Sequence, residues 1–216
     1  MRGAIRRTVL GAAALTLAAG PALAGVPAEA VNGDMSLGNP KARVQVVEYA
    51  SAACSHCAHA NEAVFPTLKT KYIDTGRVHY TLKEFLTPPP EVAAAGFLVA
   101  RCGGRAKYFT ILDQVFRSQA KWRADNIGQV ITDVGVANGL TVEQVNSCLT
   151  DPAAQAALNK RVDIAQNDKI DSTPTFLVNG KVIEDWSLPS LEAAIAAAAK
   201  ATPAPHAKPG PKGKRP

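Results

Sequence analysis

Hydrophobic positions along this chain change period twice. Residues 42–50, "ARVQVVEYA", alternate and are rich in valine, which predicts a strand over Val44 to Tyr49. The next stretch, 54–76, repeats its apolar positions at helical spacing (Ala60, Ala63, Val64, Leu68, Tyr72), with Pro66 set to break or kink it and Gly76 to end it. Alternation returns in "RVHYTLKEF" (77–85), with Val78, Tyr80 and Leu82 on one face. From Glu91 to about Lys169 the period is helical throughout. Gly103-Gly104, Gly139 and Asp151-Pro152 divide this block, and Thr141 with Gln144 marks one helix start. Two short strands follow, 175–178 and 181–184, joined at Asn179-Gly180, a pair suited to a hairpin turn with positive φ. A helix over 187–200 closes the pattern. Parallel strands joined by a helix, then a hairpin and a helix, predict a small α/β sheet layered with helices. The helical block is inserted between its second and third strands.

The two ends stand apart from this pattern. Residues 1–24 read as an export signal: Arg2, Arg6 and Arg7, an apolar run from Val9 to Ala19, Pro21, then Ala22-Leu23-Ala24 as a small–x–small cleavage site. The run is shorter than the ~20 residues a membrane span needs. Arg6-Arg7 half-resembles a twin-arginine signal, so the export route stays open. Residues 201–216, with five prolines, four basic residues and no acid, read as a disordered tail. The net charge of +6 belongs to these ends, because residues 25–200 carry 17 basic and 18 acidic residues. The fold itself therefore offers no case for a nucleic-acid surface. The division expected is a sheet domain over 25–87 and 170–200, with an inserted helical domain over 88–169.

Chemistry concentrates in "ACSHCAHA" (53–60). Cys54 lies just past the first strand, at the N-terminus of the first helix, where free N–H groups and the positive dipole end favour a thiolate. A protonated His56 would add a second stabilising charge. Cys57, one turn further in, is expected to be less exposed. Cys54 is then the attacking and leaving sulfur and Cys57 the resolving one. A zinc site needs four ligands, and only Cys54, Cys57 and His59 are close in sequence. A structural disulfide at this spacing closes a tiny loop and constrains little. Thiol–disulfide exchange is favoured over both.

"VVEYASAACSHC", followed far downstream by "STPTFLVNG", resembles the DsbA-like branch of the thioredoxin superfamily. The resemblance covers most of residues 36–200 and implies a thioredoxin-like fold split by a helical insertion. It implies an active-site pair at Cys54 and Cys57, enclosing Ser55-His56 where the family usually has Pro-His. It places the family's cis-proline at Pro174, preceded by Thr173, beside the sulfurs; an ordinary strand-edge proline is the alternative. Glu48 matches an acid that the family keeps near the buried cysteine for proton transfer, although a solvent-facing strand glutamate would look the same; Lys83 is a candidate charge partner. Relatives carry a second disulfide in the helical region, which implies a Cys102–Cys148 bridge rather than two free thiols.

The activity implied is a periplasmic thiol:disulfide oxidoreductase without cofactor that acts as a monomer and introduces disulfides into unfolded exported polypeptides with free cysteines. A membrane quinone-linked partner would reoxidise it. An isomerase or reductase using the same pair remains the alternative, since threonine before the cis-proline also occurs in such relatives; a CxxC metal-binding module is a third. No role is assigned to His59, Trp122 or Trp186.

Overall fold

The structure, a computed structural model, describes residues 25–201. The export signal, and all of the tail but its first residue, lie outside the described residues. A short helix α1 (Ala28–Val31) leads into β1 (Met35–Gly38) and β2 (Val44–Ala50). Helix α2 (Ser55–Ala63) stops at Val64, and α3 (Phe65–Leu68) restarts with Pro66 in its first turn, where a missing N–H costs nothing. A wider turn over Lys69–Ile73 and Gly76 (φ 71°) deliver the chain to β3 (Val78–Glu84). Five helices follow: α4 (Pro90–Cys102), α5 (Gly104–Ser118), α6 (Ile127–Ala137), α7 (Val142–Leu149) and α8 (Pro152–Asn167). The chain then makes β4 (Thr175–Val178), β5 (Lys181–Ile183) and α9 (Leu188–Lys200).

The sheet runs β1-β3-β2-β4-β5. Strands β2 and β3 are parallel, and every other pairing is antiparallel. This is the thioredoxin-like α/β fold expected, with one strand more. The edge strand β1 is too short, and begins too close to Gly38, to show alternation; its pairing with β3 makes it a strand. The insertion therefore falls between the third and fourth strands in chain order, β3 and β4. Asn179 (φ 48°) and Gly180 (φ 79°) make the hairpin turn in the left-handed region. At α7 the full capping box forms, Thr141 Oγ1 accepting from Gln144 N while Gln144 Oε1 accepts from Thr141 N.

A buried ionic cluster ties the insertion to the sheet. Glu84, at the end of β3, accepts from Arg101 Nε and Arg161 Nε, each at 2.7 Å, and from Tyr108 Oη at 2.9 Å. The same arginines donate onward to the carbonyls of Ala30, Val31 and Gly33 around α1. The N-terminal segment, β3, α4, α5 and α8 thus meet at one carboxylate. Sequence periodicity gave no sign of it, because two arginines and a glutamate on element faces read as solvent positions until tertiary packing buries them.

Candidate active site

Cys54 caps α2. Its backbone is extended (φ −84°, ψ 121°) and its Sγ accepts from Cys57 N at 3.3 Å, the bond a serine or aspartate would take at this position. The loop before it is held from three sides. Ser51 Oγ accepts from Thr87 N (3.1 Å), Thr87 Oγ1 (2.8 Å) and Ala53 N. Gln119 Nε2, from the end of α5, donates to Ala52 O (2.9 Å) and Cys54 O (3.3 Å). Gly96 lets α4 lie against Ala52, since a Cβ at that glycine would stand 2.7 Å from the Ala52 Cβ. The insertion therefore fixes the loop that presents the cysteine.

The two sulfurs differ sharply. Both are free thiols; Cys54 is half-buried, and Cys57 is 0% exposed. The Cys54 thiol is lowered to about 5. A hydrogen bond from the Cys57 side chain is the largest cause, and the backbone N–H groups of Cys57 and His56 add to it against the cost of burial. Burial first, then the neighbouring Cys54 sulfur, hold Cys57 far above the usual thiol range. The N–H of Ser51 is directed at Cys57 Sγ at 3.5 Å. His56 and Ser55 are exposed on the first turn, and His56 supports the Cys54 sulfur through its main-chain N–H rather than its imidazole.

The peptide bond from Thr173 to Pro174 is cis, and the Thr173 carbonyl lies 3.4 Å from Cys54 Sγ, accepting from the thiol. Thr173 Oγ1 is buried without a hydrogen-bond partner. A second cis bond, Pro88–Pro89, follows Thr87. Glu48 faces the interior at 5% exposure, not solvent. Burial pushes its carboxyl up to about 7; the hydrogen bond from Tyr80 opposes this, and the Cys54 charge adds to it. Lys83 is not its partner. Strand alternation points Lys83 to the other face, where Nζ meets Asp168 Oδ2 at 3.1 Å, and Tyr80 Oη donates to Glu48 Oε2 instead, at 2.5 Å. Cys102 and Cys148 are bonded to one another, joining α4 to α7 away from the pair. His59 packs edge-on against Trp186, and Trp122 Nε1 donates to Ser118 Oγ. Among the described residues no group of three or more histidines, cysteines and acids is gathered to hold a metal.

A thioredoxin family profile matches residues 30–197. The chain belongs to the thioredoxin family. Within that family its likeness is to DsbA-like thiol:disulfide oxidoreductases. A protein of Rickettsia bellii named as a protein-disulfide oxidoreductase is 37% identical over 165 residues, which is 75% of this chain and 63% of that protein. The chain thus spans a little over three fifths of that relative's length. The crystal structure of Wolbachia pipientis alpha-DsbA1 superposes with a TM-score of 0.71 at 25% identity, over 77% of this chain and 91% of that one. Oxidised BdbD of Bacillus subtilis shares the fold, with a TM-score of 0.71 at 21% identity over 82% of this chain and 97% of that one.

Sequence reasoning missed four residues of this thioredoxin-family site: Ser51, Tyr80, Thr87 and Gln119. Only Ser51 and Thr87 carried any signal, as small polar residues ending strands on the side where the cysteines open a helix. Tyr80 read as one more apolar strand position, and Gln119 as a helix-end polar residue.

Proposed function

We propose that the chain is an exported thiol:disulfide oxidoreductase that introduces disulfides into exported polypeptides through Cys54 and Cys57. The observation that carries this reading is the inequality of the two sulfurs: Cys54 half-buried with its thiol lowered to about 5, Cys57 enclosed and held protonated. A substrate thiolate attacks Cys54 Sγ, the Cys54–Cys57 bond breaks, and Cys57 leaves with the electron pair and takes a proton. A second substrate thiolate then attacks the substrate sulfur of the mixed disulfide, and Cys54 leaves as a thiolate. The substrate gives up two electrons and the pair receives them. A low pKa makes Cys54 the better leaving group in the second step and stabilises the reduced pair, which favours the oxidant direction.

Glu48 supplies and receives the Cys57 proton in this reading, and Thr173 with cis-Pro174 forms the edge on which an extended polypeptide lies. An open cleft of about 460 Å³ flanks α2 on the other side, lined by Ser55, Ala58, His59, Phe116 and Gln119 among others, and offers room for the rest of the substrate. The Cys102–Cys148 bond is structural. The protein works as a monomer in the periplasm, delivered by the signal at residues 1–24 and reoxidised by a membrane quinone-linked partner. Among the described residues no helix is long and apolar enough to cross a membrane.

Equilibration with glutathione tests the direction. A disulfide donor is reduced by a modest excess of reduced glutathione. A pair that stays oxidised under a large excess is a reductase, and zinc at one equivalent, lost in Cys54→Ser, would give the metal-binding reading.

A further inference from the structure

We propose that Tyr80 is a positioning residue for Glu48, and that its hydroxyl sets the pH at which Glu48 exchanges a proton with Cys57. The proposal rests on the exchange chemistry given above and adds to it a residue with no thiol or acid of its own.

Three observations carry it. The hydrogen bond from Tyr80 Oη to Glu48 Oε2, 2.5 Å long, lies wholly inside the protein, with Tyr80 1% and Glu48 5% exposed. The two residues share one face of the parallel β2–β3 pair: Glu48 stands opposite Leu82 and Tyr80 opposite Val46, so the long phenol reaches its diagonal neighbour. The ring cannot swing aside, since Phe65 of α3 and Phe109 of α5 pack on it at centroid distances of 5.4 and 5.8 Å.

Among the described residues, the surroundings leave the phenol as the one side-chain donor to the acid. Strand β4 brings Phe176 opposite Glu48. Helix α2 brings Cys54, whose charge opposes ionisation of Glu48, and Cys57, whose charge would oppose ionisation of Tyr80. Helix α5 brings Tyr108, which is engaged with Glu84. On β3, Lys83 points away to Asp168, and Glu84 is neutralised by two arginines. No side chain with a positive charge is hydrogen-bonded to Glu48 among the described residues. A neutral hydroxyl stabilises the carboxylate less than an ammonium would, so the acid keeps a proton-exchange midpoint near neutrality instead of far below it.

Reaction of the reduced protein with oxidised glutathione isolates the step. The Cys54 thiolate first attacks oxidised glutathione, whose disulfide breaks, so that one glutathione leaves as the thiolate and the other is bonded to Cys54 Sγ. The Cys57 thiol then gives its proton to the Glu48 carboxylate, its sulfur attacks Cys54 Sγ, the Cys54–glutathione bond breaks, and glutathione leaves as the thiolate. The lifetime of the mixed disulfide, followed by acid quench and mass measurement from pH 4 to 9, reports this second event.

In the unaltered protein the rate rises as Glu48 ionises. In Tyr80→Phe that rise should move up by about one pH unit, so that resolution slows roughly tenfold on the acid side. In Glu48→Gln the rise should vanish. The ultraviolet titration of the Cys54 thiolate should move in neither variant by a comparable amount, which a loosened fold would not allow. Coincident profiles for Tyr80→Phe and the unaltered protein would overturn the proposal. Should Tyr80→Phe not fold, carbon NMR on the unaltered protein decides: the Tyr80 Cζ signal should move with the Glu48 carboxyl midpoint, and a silent Tyr80 overturns the proposal. Failure of the unaltered protein to form any mixed disulfide is a different result, which refutes the exchange reading and the proposal with it.

Discussion

Reduction of the Cys54–Cys57 pair should make the protein's stability depend on pH in a way the oxidised form does not share. In the folded reduced protein the Cys54 thiol is lowered to about 5. In the unfolded chain it titrates near ~8.5. A depressed pKa stabilises the fold above the unfolded value, and this contribution is lost as pH falls through the folded one. Between pH 4 and pH 8 the linkage amounts to about 4 kcal/mol, and because Cys54 is half exposed, solvent screening reduces it to about 2. The oxidised form has no such titration. Other groups, Glu48 among them, titrate in both forms and largely cancel in the difference. The gap in unfolding free energy, reduced minus oxidised, should therefore grow by about 2 kcal/mol from pH 4 to pH 8. The sign at any one pH is less decisive, because closing the four-residue loop stabilises the oxidised form by an opposing ~2 kcal/mol in the chain-entropy view. Urea unfolding of both forms at pH 4, 6 and 8, with refolding checked, measures it. A gap that stays constant across this range would refute the claim that the helix terminus holds a thiolate, and Cys54→Ser, which cannot be oxidised at this pair, should lack the pH dependence that the reduced protein shows.

Three further outcomes follow from the geometry. Iodoacetamide at about pH 6 should modify Cys54 and leave Cys57 intact, and His56→Ala should shift the Cys54 midpoint by less than about one unit, because the His56 N–H survives the change; equal labelling of both cysteines would contradict the burial difference. Replacing Cys102 and Cys148 together by alanine should cost up to about 4 kcal/mol, given a separation of 46 residues, without altering the Cys54 titration; denaturant midpoints and thiol counts check both parts. Glu84→Gln should cost about 3 to 5 kcal/mol by leaving Arg101 and Arg161 buried without their carboxylate, and a loss under about 1 kcal/mol would mean that the cluster is solvated.

What was legible in the sequence is whatever local spacing encodes. Alternation in 44–50 and 78–84 marks half-buried strands, because side chains leave a strand on alternate faces. The helix start at Cys54 and the turn at Asn179-Gly180 depend on a few adjacent residues, so the cysteine pair could be placed on a helix N-terminus without coordinates. Edge strand β1 was not legible, since four residues ending in glycine carry too short a period. Pairing between distant elements was out of reach for a different reason. The partner of Glu48 is chosen by the register of β2 against β3, which brings Tyr80 within reach and turns Lys83 to Asp168. The residues clamping the active-site loop lie 36 positions away at Thr87 and 67 away at Gln119. The sequence by itself determined the elements and the placement of a cysteine pair at a helix N-terminus, because both reside in a few consecutive residues. Only the tertiary structure decided how strongly the two sulfurs differ, which groups serve Glu48 and which charges are buried, because desolvation and hydrogen bonding depend on neighbours that the chain brings together only when it folds.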